Sequence, residues 1–278
     1  MMIKSFREYV EKLKECGEIV TVEKEVDWNL EMSAITRRAY DLPAPAPLFQ
    51  NIKGCTPGFR VLGAEWSRLP DVKPIPPREV ESGPCKENKL FGDEIDLTKL
   101  PVPWIHHGDG GRYINTYGIF IAATPDGKWV NWAISRAMLD GPRTIAGVVI
   151  PTQDFGKIYA RWKEIGKEMP FALCLGVDPA IAMIAGYPLP SGVSEGEMMG
   201  GWYKEPVDVV KCETNDLLVP ASTEIVIEGL ASLDEKVPEG PMGEYGGYVW
   251  SGRSQQVPCF KVTAMTHRDD PIMPLCVA

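Results

Sequence analysis

Two glutamates near the end of the chain flank a short turn. Glu239 and Glu244 are separated by Gly-Pro-Met-Gly, and a Gly-Pro turn restricts the backbone, so it can direct both side chains into one site. Two neighbouring carboxylates push their pKa values apart, which leaves one charged group and one proton donor. The spacing therefore indicates general acid–base catalysis, with two solvated loop acids as the alternative interpretation.

A second group of polar residues follows a strand-like run. Asn131, Ser135 and Arg136 fall within one six-residue segment. An amide, a hydroxyl and a guanidinium in this order can bind an anion or a metal ion. The pattern is weak by itself, because an ordinary strand end can have the same composition.

Two predicted helices begin with acidic residues. Gln153 and Asp154 open one of them, where an aspartate is commonly a capping residue. Glu195 follows the Pro- and Gly-containing turn at 188–192 and opens the other helix. A helix N-terminus attracts phosphate, but a glutamate there would repel phosphate unless a cation lay between the two groups. Simple capping turns are the alternative interpretation for both positions.

The composition is that of an acidic globular protein. The 278 residues are 44% apolar and carry a formal net charge of −9. Acidic charge repels phosphates, so nucleic acid is not an expected partner, and without a long apolar run neither is a membrane. The seven cysteines form no CxxC pair, which argues against a zinc site and favours the cytoplasm.

A strand-rich scaffold must position these polar residues. The 27 glycines and 25 prolines are spread along the chain rather than repeated, which indicates many loops and short strands. Helices are expected up to Gly17 and at 30–40, 152–165 and 192–202, with a β-barrel core. A proline-rich connector over 68–104 predicts a domain boundary near residue 105, giving domains 1–104 and 105–278.

Five motifs, taken in order, make the chain resemble the UbiD family of prenylated-FMN-dependent (de)carboxylases. They are NWAISR (131–136), VVIPTQD (148–154), YPLPSGVSE (187–195), VPASTEIVIEG (219–229) and EGPMGEYGGY (239–248). The resemblance implies an α+β fold, in which a small N-terminal α/β domain precedes a split β-barrel, flavin-reductase-like domain that binds the cofactor. It also implies that the family's C-terminal domain is absent from this chain.

The resemblance implies two cation sites. A divalent metal, Mn²⁺ (or Mg²⁺), would be held by Asn131, Asp154 and Glu195 and would bridge to the flavin phosphate, which would separate Glu195 from that phosphate. The family commonly has His where this chain has Asp154; oxygen ligands suit hard cations, so we expect a retained site with an altered metal preference. A K⁺ site is also implied nearby, held largely by backbone oxygens. The matching residues are Trp132, Ile184, Ala185 and Tyr187, and Glu195 would be shared between the two cation sites.

A catalytic trio is also implied. Arg136 would hold the substrate carboxylate or pair with Glu239, Glu239 would keep Arg136 oriented, and Glu244 would donate the proton that replaces CO₂. The prenylated flavin would form a covalent adduct with the substrate. The positions that match its contacts are Ile134, Ser135, Arg136 and Gln153. The implied reaction is the reversible, non-oxidative decarboxylation of an aromatic, heteroaromatic or α,β-unsaturated carboxylic acid.

The partners implied are the carboxylic acid, CO₂, a flavin prenyltransferase that supplies the cofactor, and further copies of the chain in a homodimer or larger homo-oligomer. Two other classes of protein stay open. A split-barrel flavin reductase would not need Glu239 and Glu244 together, and a binding or scaffold fragment could keep the fold without catalysis.

Overall fold

The computed structural model describes residues 6–42, 44–55, 58, 60–63, 72–243 and 254–275. The chain divides into two compact units, Met1–Lys73 and Pro74–Ala278. Within the described ranges, no helix is both long and apolar enough to cross a membrane. The cysteines of these ranges are all free thiols.

The first unit is built on a small three-stranded sheet. Its elements are α1 (Phe6–Glu15), β1 (Ile19–Val22), α2 (Glu31–Asp41), β2 (Ala46–Phe49) and β3 (Val61–Leu62). The first two strands are parallel and the last two antiparallel. Leu13 of α1 is fully buried against Ile19 and Leu62, so the apolar face of this helix packs on the sheet.

The second unit contains a nine-stranded sheet and a three-stranded sheet. Its strands are β4 (Arg78–Glu79), β5 (Asn88–Phe91), β6 (Tyr113–Asn115), β7 (Gly118–Ala123), β8 (Val130–Ala133), β9 (Ala137–Gly141), β10 (Thr144–Gly147), β11 (Met169–Leu175), β12 (Asp208–Lys211), β13 (Leu218–Pro220), β14 (Ile225–Glu239) and β15 (Gln255–His267). Its α-helices are α3 (Asp154–Glu164), α4 (Pro179–Ala185) and α5 (Glu195–Tyr203). The large sheet has the order β6-β9-β10-β15-β14-β11-β7-β8, with β5 on β15, and the small one has β13-β12-β4.

The large sheet is buried on both faces at β7. Residues 119–122 have at most 1% of their surface exposed. Successive side chains of a strand point to opposite faces, so Phe120 belongs to one apolar cluster and Ile121 to another. In the first cluster, the rings of Phe171 and Phe260 meet edge to face with centroids 4.8 Å apart. This packing fixes β7 and its neighbour β8, which carries Asn131.

The boundary between the two units falls between Lys73 and Pro74 in the sequence, whereas the proline pattern predicts a boundary near residue 105. The segment after Pro74 belongs to the second unit because β5 pairs with β15, and because Ile95 and Leu97 are buried in the main apolar cluster. Proline and charge give this segment the composition of a linker, although its apolar residues are part of a core.

The α+β class and the small N-terminal α/β domain are confirmed. The predicted helices correspond to α1, α2, α3 and α5 within a few residues. The apolar run at 114–123 contains most of β6 and all of β7, and β14 extends over 15 residues. The long β14 ends at Glu239, one of the residues predicted to be catalytic.

Candidate active site

Arg136 and Glu239 form an ion pair at the end of β14. Arg136 Nε lies 3.0 Å from Glu239 Oε1, and Arg136 Nη2 donates a hydrogen bond of 3.2 Å to Glu239 Oε2. The Glu239 side chain is fully buried, whereas 28% of the Arg136 side chain is exposed. The pair therefore holds the guanidinium against a buried carboxylate, although the Arg136 side chain as a whole is partly exposed.

Two more side chains bind the same carboxylate. The Tyr113 hydroxyl donates to Glu239 Oε1 at 2.8 Å, and the Gln255 amide donates to Oε2 at 2.8 Å. Burial, together with the hydrogen bond to Glu239, raises the pKa of Tyr113, so its hydroxyl remains a donor. Gln255 faces Glu239 because the antiparallel register of β14 and β15 pairs these two residues. Neither donor was found from the sequence.

The turn after Glu239 is described as far as Gly243. It contains a cis peptide bond between Gly240 and Pro241, and the Pro241 carbonyl accepts a hydrogen bond of 2.7 Å from the N–H of Gly110. Glu244, the predicted proton donor, lies outside the described residues, as do residues 245–248 of its motif. Its role stays a prediction.

Asn131 and Glu195 meet in a second buried polar site. Asn131 lies in β8 and Glu195 is the first residue of α5. The Asn131 amide donates to Glu195 Oε1 at 2.9 Å, and the N–H of Trp132 donates to Oε2 at 2.7 Å. Both side chains belong to residues that are at most 3% exposed. The structure thus brings together two of the three residues predicted to bind a divalent metal.

This second site has the properties of a cation site. Burial raises the pKa of Glu195 to about 7, and nearby Asp154 adds to the rise, against the hydrogen bonds from Trp132 and Asn131. The side-chain oxygen of Asn131 is buried and has no hydrogen-bond partner in the described part of the protein. A hard cation would neutralise the carboxylate and satisfy this oxygen. The residues present therefore fit a divalent metal.

Asp154 is tied to other groups at the start of α3. Its Oδ1 lies 2.7 Å from Lys157 Nζ and accepts a hydrogen bond of 3.3 Å from Ser191 Oγ. Lys157 Nζ also donates to Ser191 Oγ at 3.0 Å. Among the described residues, no three His, Cys, Asp or Glu side chains form a metal-binding group, and the role of Asp154 as a third ligand beside Asn131 and Glu195 stays a prediction.

The residues predicted to hold K⁺ lie on two adjoining segments. The N–H of Ile134, just after β8, donates to the Ala185 carbonyl at 3.4 Å, and the N–H of Tyr187 donates to the Ile184 carbonyl at 3.0 Å. Each carbonyl oxygen has a second lone pair, and the C-terminal end of a helix such as α4 favours cations. The structure brings Ala185 to the segment that follows Trp132.

The remaining residues predicted to contact the cofactor are chain neighbours of Arg136 and Asp154. Ile134 is 40% exposed and offers an apolar surface. The Ser135 hydroxyl donates to the Val148 carbonyl at 2.7 Å, which fixes the chain before Arg136. Gln153 precedes α3 without capping it through its side chain. The segment 131–136 therefore connects the Asn131–Glu195 site to the Arg136–Glu239 site.

Most of the chain matches two domains of one known protein family. Residues 10–68 match the N-terminal domain of 3-octaprenyl-4-hydroxybenzoate carboxy-lyase, and residues 78–278 match the Rift-related domain of the same family, UbiD. The chain therefore belongs to the UbiD family.

Two curated relatives cover nearly the whole chain. The chain is 47% identical to the pyrrole-2-carboxylic acid decarboxylase of Pseudomonas aeruginosa over 98% of its length, and 40% identical to ferulic acid decarboxylase 1 of Saccharomyces cerevisiae over 97%. It spans 61% of the length of each of these relatives.

Solved structures support the fold. The chain is similar, with a TM-score of 0.68 and 32% identity, to an evolved dimeric form of the UbiD-class enzyme HmfF from Pelotomaculum thermopropionicum in complex with prFMN, covering 97% of this chain and 66% of that one. It is also similar to the vanillic acid decarboxylase of Sedimentibacter hydroxybenzoicus, with a TM-score of 0.69 and 27% identity, covering 98% and 64%. The expected fold class, with a split-barrel second domain, is confirmed.

Proposed function

We propose that this chain carries the catalytic groups of a decarboxylase that acts on an aromatic, heteroaromatic or α,β-unsaturated carboxylic acid with prenylated FMN. The observation that supports this most directly is the buried carboxylate of Glu239, which pairs with Arg136, a residue whose side chain is partly exposed. A cation that is held in one orientation on such a side chain is suited to bind a carboxylic acid substrate.

Arg136 binds the carboxylate that will leave as CO₂. Because Glu239 fixes one side of the guanidinium, the substrate meets a group that is already oriented, and little reorganisation is needed. Glu244 donates a proton to the carbon that loses CO₂, and this requires a protonated carboxylic acid at the working pH. Glu239 cannot replace it, because its oxygens already accept hydrogen bonds from three side chains.

The cofactor is held through cations and through direct contacts. Asn131, Glu195 and Asp154 would hold Mn²⁺ or Mg²⁺ for a bound cofactor, and Lys157 offsets part of the extra negative charge of Asp154. The proposed direct contacts are Ile134, Ser135, Arg136 and Gln153, with K⁺ near Trp132, Ile184, Ala185 and Tyr187. When bound, prenylated FMN supplies the electronic stabilisation that loss of CO₂ requires.

The class of substrate follows from the names of the relatives. Pyrrole-2-carboxylic acid, ferulic acid and vanillic acid are the acids in the names of three of them. Each contains an aromatic or heteroaromatic ring, and in ferulic acid an α,β-unsaturated chain joins the ring to the carboxyl group. An aromatic acid is therefore the first substrate class to test.

The proposed partners and location follow the same family. One relative was solved as an evolved dimer with prFMN, which supports a homo-oligomer that obtains its cofactor from a flavin prenyltransferase. The buried cysteines are free thiols, and burial raises the pKa of Cys85 to about 11. Free thiols throughout the described ranges support a cytoplasmic location.

The protein should be produced together with a flavin prenyltransferase, purified anaerobically and examined by absorbance and metal analysis. CO₂ release is then screened over aryl, heteroaryl and acrylic acids. We expect a flavin spectrum, bound divalent metal and release of CO₂ from at least one aromatic acid. A colourless, metal-free and inactive protein would favour the scaffold alternative, and oxidation of a nicotinamide cofactor without CO₂ release would favour a reductase.

A further inference from the structure

A buried aspartate outside the Arg136–Glu239 pair holds the turn between the two glutamates. The Asp109 side chain has no exposed surface. Its Oδ1 accepts a hydrogen bond of 2.7 Å from the N–H of Gly243, and its Oδ2 accepts one of 2.8 Å from the N–H of His106. Gly243 is the residue immediately before Glu244. The Asp109 carboxylate thus joins the loop at 106–111, the His106 loop, to the end of the turn at 240–243.

Close packing holds the same two segments together. A Cβ added to Gly110 would lie 2.1 Å from the carbonyl oxygen of Gly240, and one added to Gly243 would lie 2.6 Å from His106 Nδ1. Both distances are well below van der Waals contact, so only glycine fits at either position. The N–H of Gly110 also donates to the Pro241 carbonyl at 2.7 Å, and the turn is therefore bound to the loop at several points.

We propose that Asp109 is a positioning residue for the decarboxylation. It fixes the backbone at Gly243, while Tyr113 and Arg136 fix Glu239 at the other end of the turn. A displacement of about 1 Å can lower a rate about 100-fold when a proton must pass between fixed groups. This inference rests on the proposed function, because it assigns to Asp109 the placement of the residue that precedes the proton donor.

Asp109 can hold both segments because each of its two carboxylate oxygens accepts a backbone N–H, one from Gly243 and one from His106. An ionised carboxylate offers two oxygens to the two N–H groups, whereas a carboxamide offers only one oxygen and places an NH₂ group against the other N–H. Asp109→Asn keeps the size of the side chain and removes one of the two acceptors. Asp126→Asn is the matched control, since Asp126 accepts a backbone N–H from Lys128 in an exposed turn.

The test compares these variants in the loaded enzyme by kinetics and by hydrogen exchange. For Asp109→Asn we expect kcat to fall about 100-fold, with KM within about twofold and unchanged flavin content. The solvent deuterium isotope effect on kcat should increase, because proton delivery becomes slower. Amide exchange over 240–243 should accelerate about tenfold, and Asp126→Asn should match the wild type in all these measurements.

A steric rescue keeps the test independent of the folding of Asp109→Asn. Gly243→Ala should lower kcat because its Cβ meets the His106 ring, and adding His106→Ala should recover part of the loss. Unchanged exchange over 240–243 in Asp109→Asn would overturn the proposed contact even in a protein that releases no CO₂. The positioning role would be overturned by faster exchange in Asp109→Asn with an unchanged kcat and isotope effect. It would also be overturned if the double variant Gly243→Ala, His106→Ala showed no recovery of kcat. An inactive wild type would contradict only the proposed function.

Discussion

Arg136 and Glu239 are 103 positions apart in the chain, and their side chains form an ion pair of 3.0 Å at the end of β14. The carboxylate is buried, and the Arg136 side chain is partly exposed. A buried charge needs a partner, so Glu239 requires Arg136, and Arg136 in turn is held in one orientation. This mutual dependence makes the pair the structural centre of the proposed active site.

Removal of the Glu239 charge should therefore disable the site. Glu239→Gln keeps the side-chain volume but removes the negative charge that lies 3.0 Å from Arg136 Nε, and we expect kcat/KM to fall about 100-fold or more. Glu224→Gln is the matched control, because Glu224 lies 3.3 Å from Arg268 in another Glu–Arg pair. Steady-state CO₂ release measures both variants; equal losses in the two would remove the special role of Glu239.

Tyr113 should contribute to catalysis through Glu239. Tyr113→Phe removes the hydrogen bond of 2.8 Å to Glu239, and we expect about 2 kcal/mol lower stability and a roughly tenfold lower kcat. Tyr159→Phe removes a hydrogen bond of 2.7 Å to the Ser232 carbonyl, so it should lower the melting temperature without lowering kcat. A Tyr113→Phe variant with the wild-type kcat would restrict Tyr113 to a structural role.

The metal site should depend on both buried ligands and on Asp154. Asn131→Ala removes the unpartnered buried oxygen beside Glu195, so we expect the bound divalent metal to fall below a tenth of an equivalent. Asp154→Ala should lower the content and Asp154→His should change the metal that is retained. Elemental analysis of the purified variants measures this directly. Wild-type metal content in Asp154→Ala would exclude Asp154 as a ligand.

Glu228 should matter for stability and not for chemistry. Its fully buried side chain accepts the N–H groups of Glu213 and Thr214 at 2.8 and 2.7 Å. Glu228→Ala leaves both donors without acceptors, and we expect the free energy of unfolding to fall by about 3 kcal/mol. Asp216→Ala, at a side chain that is 95% exposed, should change it by less than about 0.5 kcal/mol. Urea denaturation of the two variants provides the comparison.

Local patterns were sufficient to predict α1, α2, α3 and α5, whereas the roles of the site residues were implied by the family resemblance. Helical spacing gives α1 and α3, and the approach of Asn131 to Glu195 was expected from the motifs that resemble the UbiD family. The register of β14 and β15, in contrast, depends on the whole sheet. Gln255 pairs with Glu239 only through that register, so no local signal indicated it.

The His106 loop shows a second limit of sequence reasoning. Asp109 and His106 stand in a Gly-rich segment with the composition of an ordinary loop. Asp109 acquires its role through a contact with Gly243, 134 positions away. The one available signal was the pair Gly110-Gly111, because adjacent glycines indicate close approach of another backbone.

The central claim is that Glu244 protonates the carbon that loses CO₂ while Arg136, oriented by Glu239, holds the substrate. The most direct test is decarboxylation in D₂O by the wild type and by Glu244→Gln at equal flavin content. We predict that the wild-type product contains one deuterium for each CO₂ released, bound to the carbon that carried the carboxylate, and that Glu244→Gln releases less than about 1% as much CO₂. Wild-type CO₂ release from a Glu244→Gln variant with full flavin content would contradict the mechanism.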